Sequence, residues 1–186
     1  MEQERNRVCP VELSGSLDNK LRRWLQNPYK IVAPYVKEGM IVLDVGCGPG
    51  FFSIEMAKLV GPGGKVISAD LQEGMLRELG NKIRGTELEE RIKRVKCDQD
   101  KINVSDTVEF ILAFYMVHEV PDKNSFFKQL FSVLSKQGQF LLIEPKLFHV
   151  SQREFEVTTR VAENNGFRIH PGPRLLLSWS AVLKPV

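Results

Sequence analysis

An α/β fold built on a mainly parallel sheet follows from two observations on the sequence. Short apolar runs of strand length alternate with amphipathic stretches through most of the 186 residues, which is the pattern of strand–helix–strand units. One of these runs, Val42-Leu43-Asp44-Val45, passes directly into a glycine loop, Gly46-Cys47-Gly48-Pro49-Gly50, and then into an apolar helix beginning at Phe51. A strand that turns through such a loop into a helix can hold a nucleotide-like ligand. The glycines let backbone approach the ligand with no Cβ in the way, and the helix start offers free N–H groups.

Strands are expected at 41–45, 65–69, 92–97, 108–114 and 139–143, each short, β-branched or aromatic, and bounded by turn signals. Helices are expected between them. Residues 51–60 have a helical apolar face and stop at Gly61-Pro62, and 72–83 follow the second strand. Residues 123–134 place Phe126, Phe127, Leu130, Phe131 and Leu134 on one face, with Asp122 as N-cap and Gly138 in the turn beyond. Ahead of this core, 14–37 reads as two short helices broken at Asn27-Pro28, with Leu17, Leu21, Trp24 and Leu25 as an apolar stripe. It serves either as a packing cap or as a lid over the ligand. Behind the core come a helix at 152–164 and two strands divided by Pro171-Gly172-Pro173, the second a buried run over 175–183. With no repeat or low-complexity tract, 1–186 reads as a single domain whose core is 40–186.

Hydrophobic content of 42% and charged content of 26% are ordinary for a soluble globular protein. No apolar run approaches the roughly 20 residues of a membrane span, and the start MEQERNRVCP lacks the apolar region of a secretory signal. Cys9, Cys47 and Cys97 lie far apart and form no C-x-x-C pair, so neither a metal site nor a disulfide framework is expected, and a cytoplasmic setting is the simplest one. The net charge of +3 is mild. The densest basic stretch, Arg91-Ile92-Lys93-Arg94-Val95-Lys96, has no interleaved aromatic residues and reads as a solvated strand edge, so no nucleic-acid partner is expected.

Five features fall at successive strand ends on one side of the expected sheet, where open α/β sheets bind ligands. The first strand brings Asp44 and the glycine loop. The second ends in Ala69-Asp70-Leu71, with Asp70 about twenty residues past the loop, where an acid accepts hydrogen bonds from ribose hydroxyls. The third ends in Cys97-Asp98-Gln99-Asp100, where a carboxylate can take an adenine amino group. The fourth runs into Phe114-Tyr115-Met116-Val117-His118-Glu119, and the fifth into Glu144-Pro145. Phe51 stands where a dinucleotide loop requires its third glycine, and Asp44 would repel a phosphate but favour a cationic amino group.

Over residues 40–145 this pattern resembles the class I S-adenosylmethionine-dependent methyltransferases, most closely the small-molecule branch that includes quinone-biosynthesis enzymes. Residues 42–50 match the family's first motif almost letter for letter. The resemblance implies a Rossmann-like three-layer sandwich with a seven-stranded sheet whose last two strands form an antiparallel pair. It implies S-adenosylmethionine as cofactor. The expected binding set is Asp44, Gly46, Cys47, Gly48, Gly50, Asp70, Leu71, Met75, Asp98, Gln99, Phe114 and Tyr115. Asp70 matches the ribose acid, Asp98 the adenine acid, and 114–119 the wall shared by the methionine end and the acceptor.

Methyl transfer from a sulfonium to a small-molecule acceptor is a direct displacement that needs chiefly alignment and exclusion of water. If a general base is used, His118 is the candidate, with Glu119 as its orienter; a structural histidine is the other reading. His118-Glu119 does not open a zinc-protease motif, because Pro121 breaks the helix and Asp122 occupies the second histidine's place. The alternatives are methylation of RNA or protein, although Ala113-Phe114-Tyr115-Met116 lacks the Asn/Asp-Pro-Pro-Tyr signature, or a non-catalytic cofactor-binding protein. By the same resemblance, 14–37 and 146–150 shape the acceptor pocket, with Trp24, Tyr29, Tyr35, Phe148 and Trp179 as candidate lining or packing residues. A homodimer is left open.

Overall fold

The computed structural model describes residues 26–146 and 150–186. The first of the two expected N-terminal helices, the stripe Leu17, Leu21, Trp24 and Leu25, and also Cys9 and Phe148 lie outside these residues. The chain order is α1 (Pro28–Val32), β1 (Ile41–Val45), α2 (Ser53–Val60), β2 (Lys65–Asp70), α3 (Glu73–Ile83), α4 (Leu88–Arg91), β3 (Ile92–Lys96) and β4 (Val108–Phe114). A 3₁₀ turn (Val117–Glu119) follows, then α5 (Lys123–Val133), β5 (Leu134–Pro145), α6 (Gln152–Asn164), β6 (Phe167–Pro171) and β7 (Ser178–Pro185).

The seven strands are ordered β3-β2-β1-β4-β5-β7-β6. β1 pairs in parallel with β2 and β4, β2 with β3, and β4 with β5, whereas β7 runs antiparallel to both β5 and β6. The order reverses between β1 and β4, so their carboxyl ends diverge and open the crevice in which such sheets bind ligands.

Strand periodicity sorts the core into two layers. Leu43, Ile67, Ile111, Phe140 and Leu142 pack with Phe126, Phe127 and Leu130 of α5 and Phe155 and Ala162 of α6. Val42, Val66, Phe110, Leu112 and Leu141 face the other way, onto Ile31 and Val32 of α1, Met56 and Ala57 of α2, and Leu76 and Leu79 of α3. Helix ends follow local rules. Asn27 caps α1 with Pro28 in its first turn, Asp122 Oδ1 accepts from Ser125 N at 3.0 Å, and Ser151 and Glu154 form a capping box on α6.

Three expectations of local structure change. Gly138 lies inside β5 rather than in a turn, at the register shift opposite Val108 and Phe110, where a Cβ would come within 2.4 Å of Leu134 Cδ1. The last strand starts at Ser178, and Leu176 and Leu177 are exposed on the connection before it. Leu88–Arg91, with Glu87 as the N-cap residue, form the short helix α4, which periodicity alone did not reveal. The basic run lies on the sheet edge as expected: Lys93 pairs with Asp106 at 2.8 Å, and Arg94 reaches Leu76 O at 3.3 Å over Gly80.

Candidate active site

A cavity of about 860 Å³ opens at the carboxyl ends of the parallel strands. Eleven of the twelve expected cofactor residues line it: Asp44, Gly46, Cys47, Gly48, Asp70, Leu71, Met75, Asp98, Gln99, Phe114 and Tyr115. Gly50 is the exception. A Cβ there would come within 2.3 Å of Leu79 Cδ1, so its lack of a side chain serves the packing of the loop on α3. The loop and α3 are two segments whose approach the motif alone does not reveal.

The loop is held over the end of β2. Gly46 N and Cys47 N both donate to Ala69 O, at 2.8 and 3.1 Å, and Lys82 Nζ donates to Pro49 O at 3.0 Å. Gly46, at φ +70°, leaves room for Met116, whose Cγ would lie 2.7 Å from a Cβ. Gly48, at φ +53°, has open space where its Cβ would stand, which is a cradle a ligand can approach.

Asp44 is buried beneath the loop. Its Oδ2 accepts from Ser53 Oγ at 2.6 Å, and Ser53 Oγ accepts from Ser68 Oγ at 2.8 Å, so two buried serines stand behind the carboxylate. The sequence reading missed both. The available signal was a small polar residue in the middle of an apolar strand, Val66-Ile67-Ser68-Ala69. Asp70 Oδ2 accepts from Gly48 N and Oδ1 from Gln72 N, each at 2.8 Å. Burial pushes its pKa up, opposed by those two N–H groups and by Lys96. The Asp98 carboxylate takes a hydrogen bond from Asn103 Nδ2 at 3.0 Å, which ties the 98–103 loop together.

Six carboxylates line the cavity, Asp44, Asp70, Asp98, Asp100, Glu119 and Asp122, against one cation, Lys101, among the described residues. Such a wall attracts a cationic ligand and repels a pyrophosphate. Phe51 is buried and edge-on to Phe52, which leans on Phe114 at 4.5 Å, and Phe114 stacks on Tyr115 at 4.1 Å. Phe51 thus fills the place a third loop glycine would leave free. An acid-lined cleft with an open cradle at Gly48 fits a cationic, phosphate-free nucleoside.

A profile described as a methyltransferase domain matches residues 36–170. The chain belongs to this methyltransferase family. Among its relatives is the demethylmenaquinone methyltransferase of Lactobacillus johnsonii, 33% identical over 110 residues, which are 59% of this chain and 45% of that protein. The ubiquinone/menaquinone biosynthesis C-methyltransferase UbiE of Pasteurella multocida is 31% identical over 110 residues, 59% of this chain and 41% of that one. The chain therefore spans less than half the length of these two relatives. The crystal structure of a SAM-dependent methyltransferase from Aquifex aeolicus superposes with a TM-score of 0.85 at 27% identity, covering 96% of this chain and 100% of that one. The cofactor of this methyltransferase family is S-adenosylmethionine, and the cradle, the acids and Phe51 fit it.

The cavity wall after β4, where acceptor contacts were expected, differs from expectation. His118 is not in the cavity wall, whereas its neighbours Met116 and Glu119 are. Its Nδ1 lies 2.7 Å from Glu144 Oε2, and Glu119 stands 3.9 Å from Nε2, so the orienting carboxylate is Glu144 rather than Glu119. Burial opposes the charged ring, but the Glu144 hydrogen bond and the charges of Glu144 and Glu119 outweigh it, and the pKa lies above its ordinary value. Of the aromatic candidates, Tyr35 stacks on Phe110, Trp179 stacks on Phe155 and donates to Val150 O, and Tyr29 is exposed. The wall holds instead Pro145, at the fifth strand end, and Gln26, Leu176 and Leu177, which the sequence reading did not single out as lining.

Proposed function

We propose that this chain moves a methyl group from S-adenosylmethionine to a small, largely apolar acceptor by direct displacement. The observation that carries this reading is the acid-lined cavity at the β1–β4 switch point, with six carboxylates facing one lysine among its described residues. When bound, the cofactor supplies a methyl group on a sulfonium that is already an activated leaving group. In this reading Asp44 favours its cationic amino acid end, Asp70 takes the ribose hydroxyls, and Asp98 takes the adenine amine. Phe52, Phe114 and Tyr115 exclude water from the wall shared with the acceptor. The names of the relatives support a small-molecule acceptor.

We read His118 as a positioning residue that holds the 117–119 turn through Glu144, with alignment rather than a general base supplying most of the rate. No helix among the described residues is long and apolar enough to cross a membrane. The free, buried thiols of Cys47 and Cys97 support a reducing cytoplasmic setting.

Calorimetry with S-adenosylmethionine, S-adenosylhomocysteine and NAD tests this function. Micromolar binding of the first two and none of the dinucleotide is the expected result. Preference for the dinucleotide, or no binding of either methyl-cycle compound, overturns it.

A further inference from the structure

Residues 97–107, between β3 and β4, lie in neither a strand nor a helix, so no regular ladder fixes their backbone. Within this stretch 97–102 line the cavity. Gln129 of α5 grips the loop from outside it. Its Oε1 accepts from Ile102 N at 3.1 Å, and its Nε2 donates to Asp100 O at 2.8 Å. A backbone N–H only donates and a carbonyl only accepts, so the two contacts fix the orientation of the amide. Gln129 thus holds both residues that flank Lys101, and Lys101 O in turn accepts from Asp98 N at 2.8 Å. The grip on 100 and 102 is passed through residue 101 to the backbone of Asp98.

The Asp98 carboxylate is held from its other side. Asn103 has φ +55°, a left-handed conformation that this residue type tolerates. Its Nδ2 donates to Lys96 O and to Asp98 Oδ2, each at 3.0 Å. α5 does not need Gln129 for its own seat, because Phe126, Phe127, Leu130 and Val133 bury that helix in the core. The loop is placed differently: Ile102 is buried, but Asp98, Gln99, Asp100 and Lys101 are exposed, and packing alone does not fix exposed residues. A side chain of a firmly packed helix therefore orders an exposed segment of the cavity wall.

We infer that Gln129 is a positioning residue for adenine recognition: by clamping residues 100 and 102 to α5, it holds Asp98 where Oδ1 accepts a hydrogen bond from the 6-amino group of the cofactor's base. This rests on the methyl-transfer reading above, in which Asp98 takes the adenine amine. A carboxylate on a loose loop must be ordered when the ligand arrives, at a cost in conformational entropy, whereas a clamped loop is ordered already on folding. The clamp strengthens the bond to the amine in particular. The ribose and the amino acid end are met by Asp70 and Asp44 on other strands, which Gln129 does not touch.

The test is calorimetric, on the full chain, with S-adenosylhomocysteine and its analogue lacking the 6-amino group as probes. The wild type binds the amino compound about tenfold more tightly. Gln129→Leu brings the two probes within about twofold of each other, by weakening the amino compound while the analogue binds as before. Asp98→Ala also removes the preference, and adding Gln129→Leu to it weakens S-adenosylhomocysteine no further, because both changes act on one bond. Thermal melting checks the fold of each variant. If Gln129→Leu does not fold, Asn103→Gly carries the test: glycine keeps the left-handed backbone, loses both Nδ2 bonds and lowers the preference in the same way. Equal affinity of the probes in the wild type overturns the assignment. So does a folded Gln129→Leu that weakens both probes alike or neither, or one that costs as much beside Asp98→Ala as alone. Failure of the wild type to bind S-adenosylhomocysteine instead marks failure of the methyl-transfer reading.

Discussion

Glu144 and His118 are joined at 2.7 Å, Oε2 to Nδ1, and the same buried carboxylate also accepts the backbone N–H groups of Val117 and His118 at 3.0 and 3.1 Å. One side chain at the end of β5 therefore holds the turn that follows β4. That turn seats Met116 against Gly46 of the glycine loop, so the clamp connects the cavity wall after β4 to that loop.

Glu144→Ala leaves two buried N–H groups without their acceptor and removes the partner of the imidazole. The expected loss is about 3 kcal/mol, read from urea unfolding, with a weaker cofactor affinity because Met116 loses its seat. The His118 pKa is raised above its ordinary 6.5. Its contribution to stability is therefore fully present below about 6.5 and is lost as pH rises through the folded value. The gap in stability between wild type and His118→Gln should narrow over that window; a gap that widens with pH would refute the charged-pair assignment.

Gly48 and Gly50 lie two residues apart and should fail differently. A Cβ at Gly48 meets open space but must adopt φ +53°, whereas one at Gly50 must adopt φ +88° and also displaces Leu79. Gly48→Ala should cost about 1 kcal/mol of stability and more than tenfold in cofactor affinity. Gly50→Ala should cost roughly 3 kcal/mol or more, from strain and overpacking together. Thermal melts paired with calorimetry separate the two effects.

Ser53 and Ser68 stand one and two hydrogen bonds behind Asp44. Ser53→Ala removes a donor from a buried carboxylate and should cost about 2 kcal/mol. Ser68→Ala removes only a bond to Ser53 and should cost about 1 kcal/mol or less. Both variants should weaken binding of S-adenosylmethionine in the same order. The reverse order in equilibrium unfolding would show that the chain of bonds does not end on Asp44.

Burial raises the Asp70 pKa above 3.8, so ionising this group opposes folding, and the stability it contributes in its protonated form falls as pH rises through the folded value. Ribose hydroxyls that donate to the carboxylate favour its ionised form. Affinity for S-adenosylhomocysteine should therefore fall about tenfold per pH unit below the raised pKa, with proton release on binding. Titrations in buffers of different ionisation enthalpy measure this release. In Asp70→Asn the affinity should be low and flat with pH.

Where the signal was local, the sequence was readable. β1, β4 and α6 have the bounds expected from periodicity and turn residues, and acids stand at or just past the carboxyl ends of the parallel strands, where the pattern put them. Misplacements came where a distant segment decides. The run Leu175-Leu176-Leu177 has strand composition, but the chain leaves the sheet there and exposes Leu176 to shape the cavity rim. Gly138 has turn composition, but Leu134 and Glu109 crowd it inside β5. His118 follows a strand as a base would, yet the carboxylate 26 positions away turns its ring from the cavity wall.

By itself the sequence determined the parallel α/β sheet, the glycine loop and the carboxylates that suit a methyl donor. Side-chain periodicity and loop chemistry are local, and a strand followed by an acid and glycines carries its meaning in any compact fold of this class. Tertiary structure alone decided what stands behind those carboxylates, which glycine packs and which cradles, and which residues form the far wall of the cavity. Tyr115 meets Gln26 and Ser178 across 89 and 63 residues of chain. Contacts of that span exist only once strand order and register have brought β4, β7 and the N-terminal segment to one edge of the cavity.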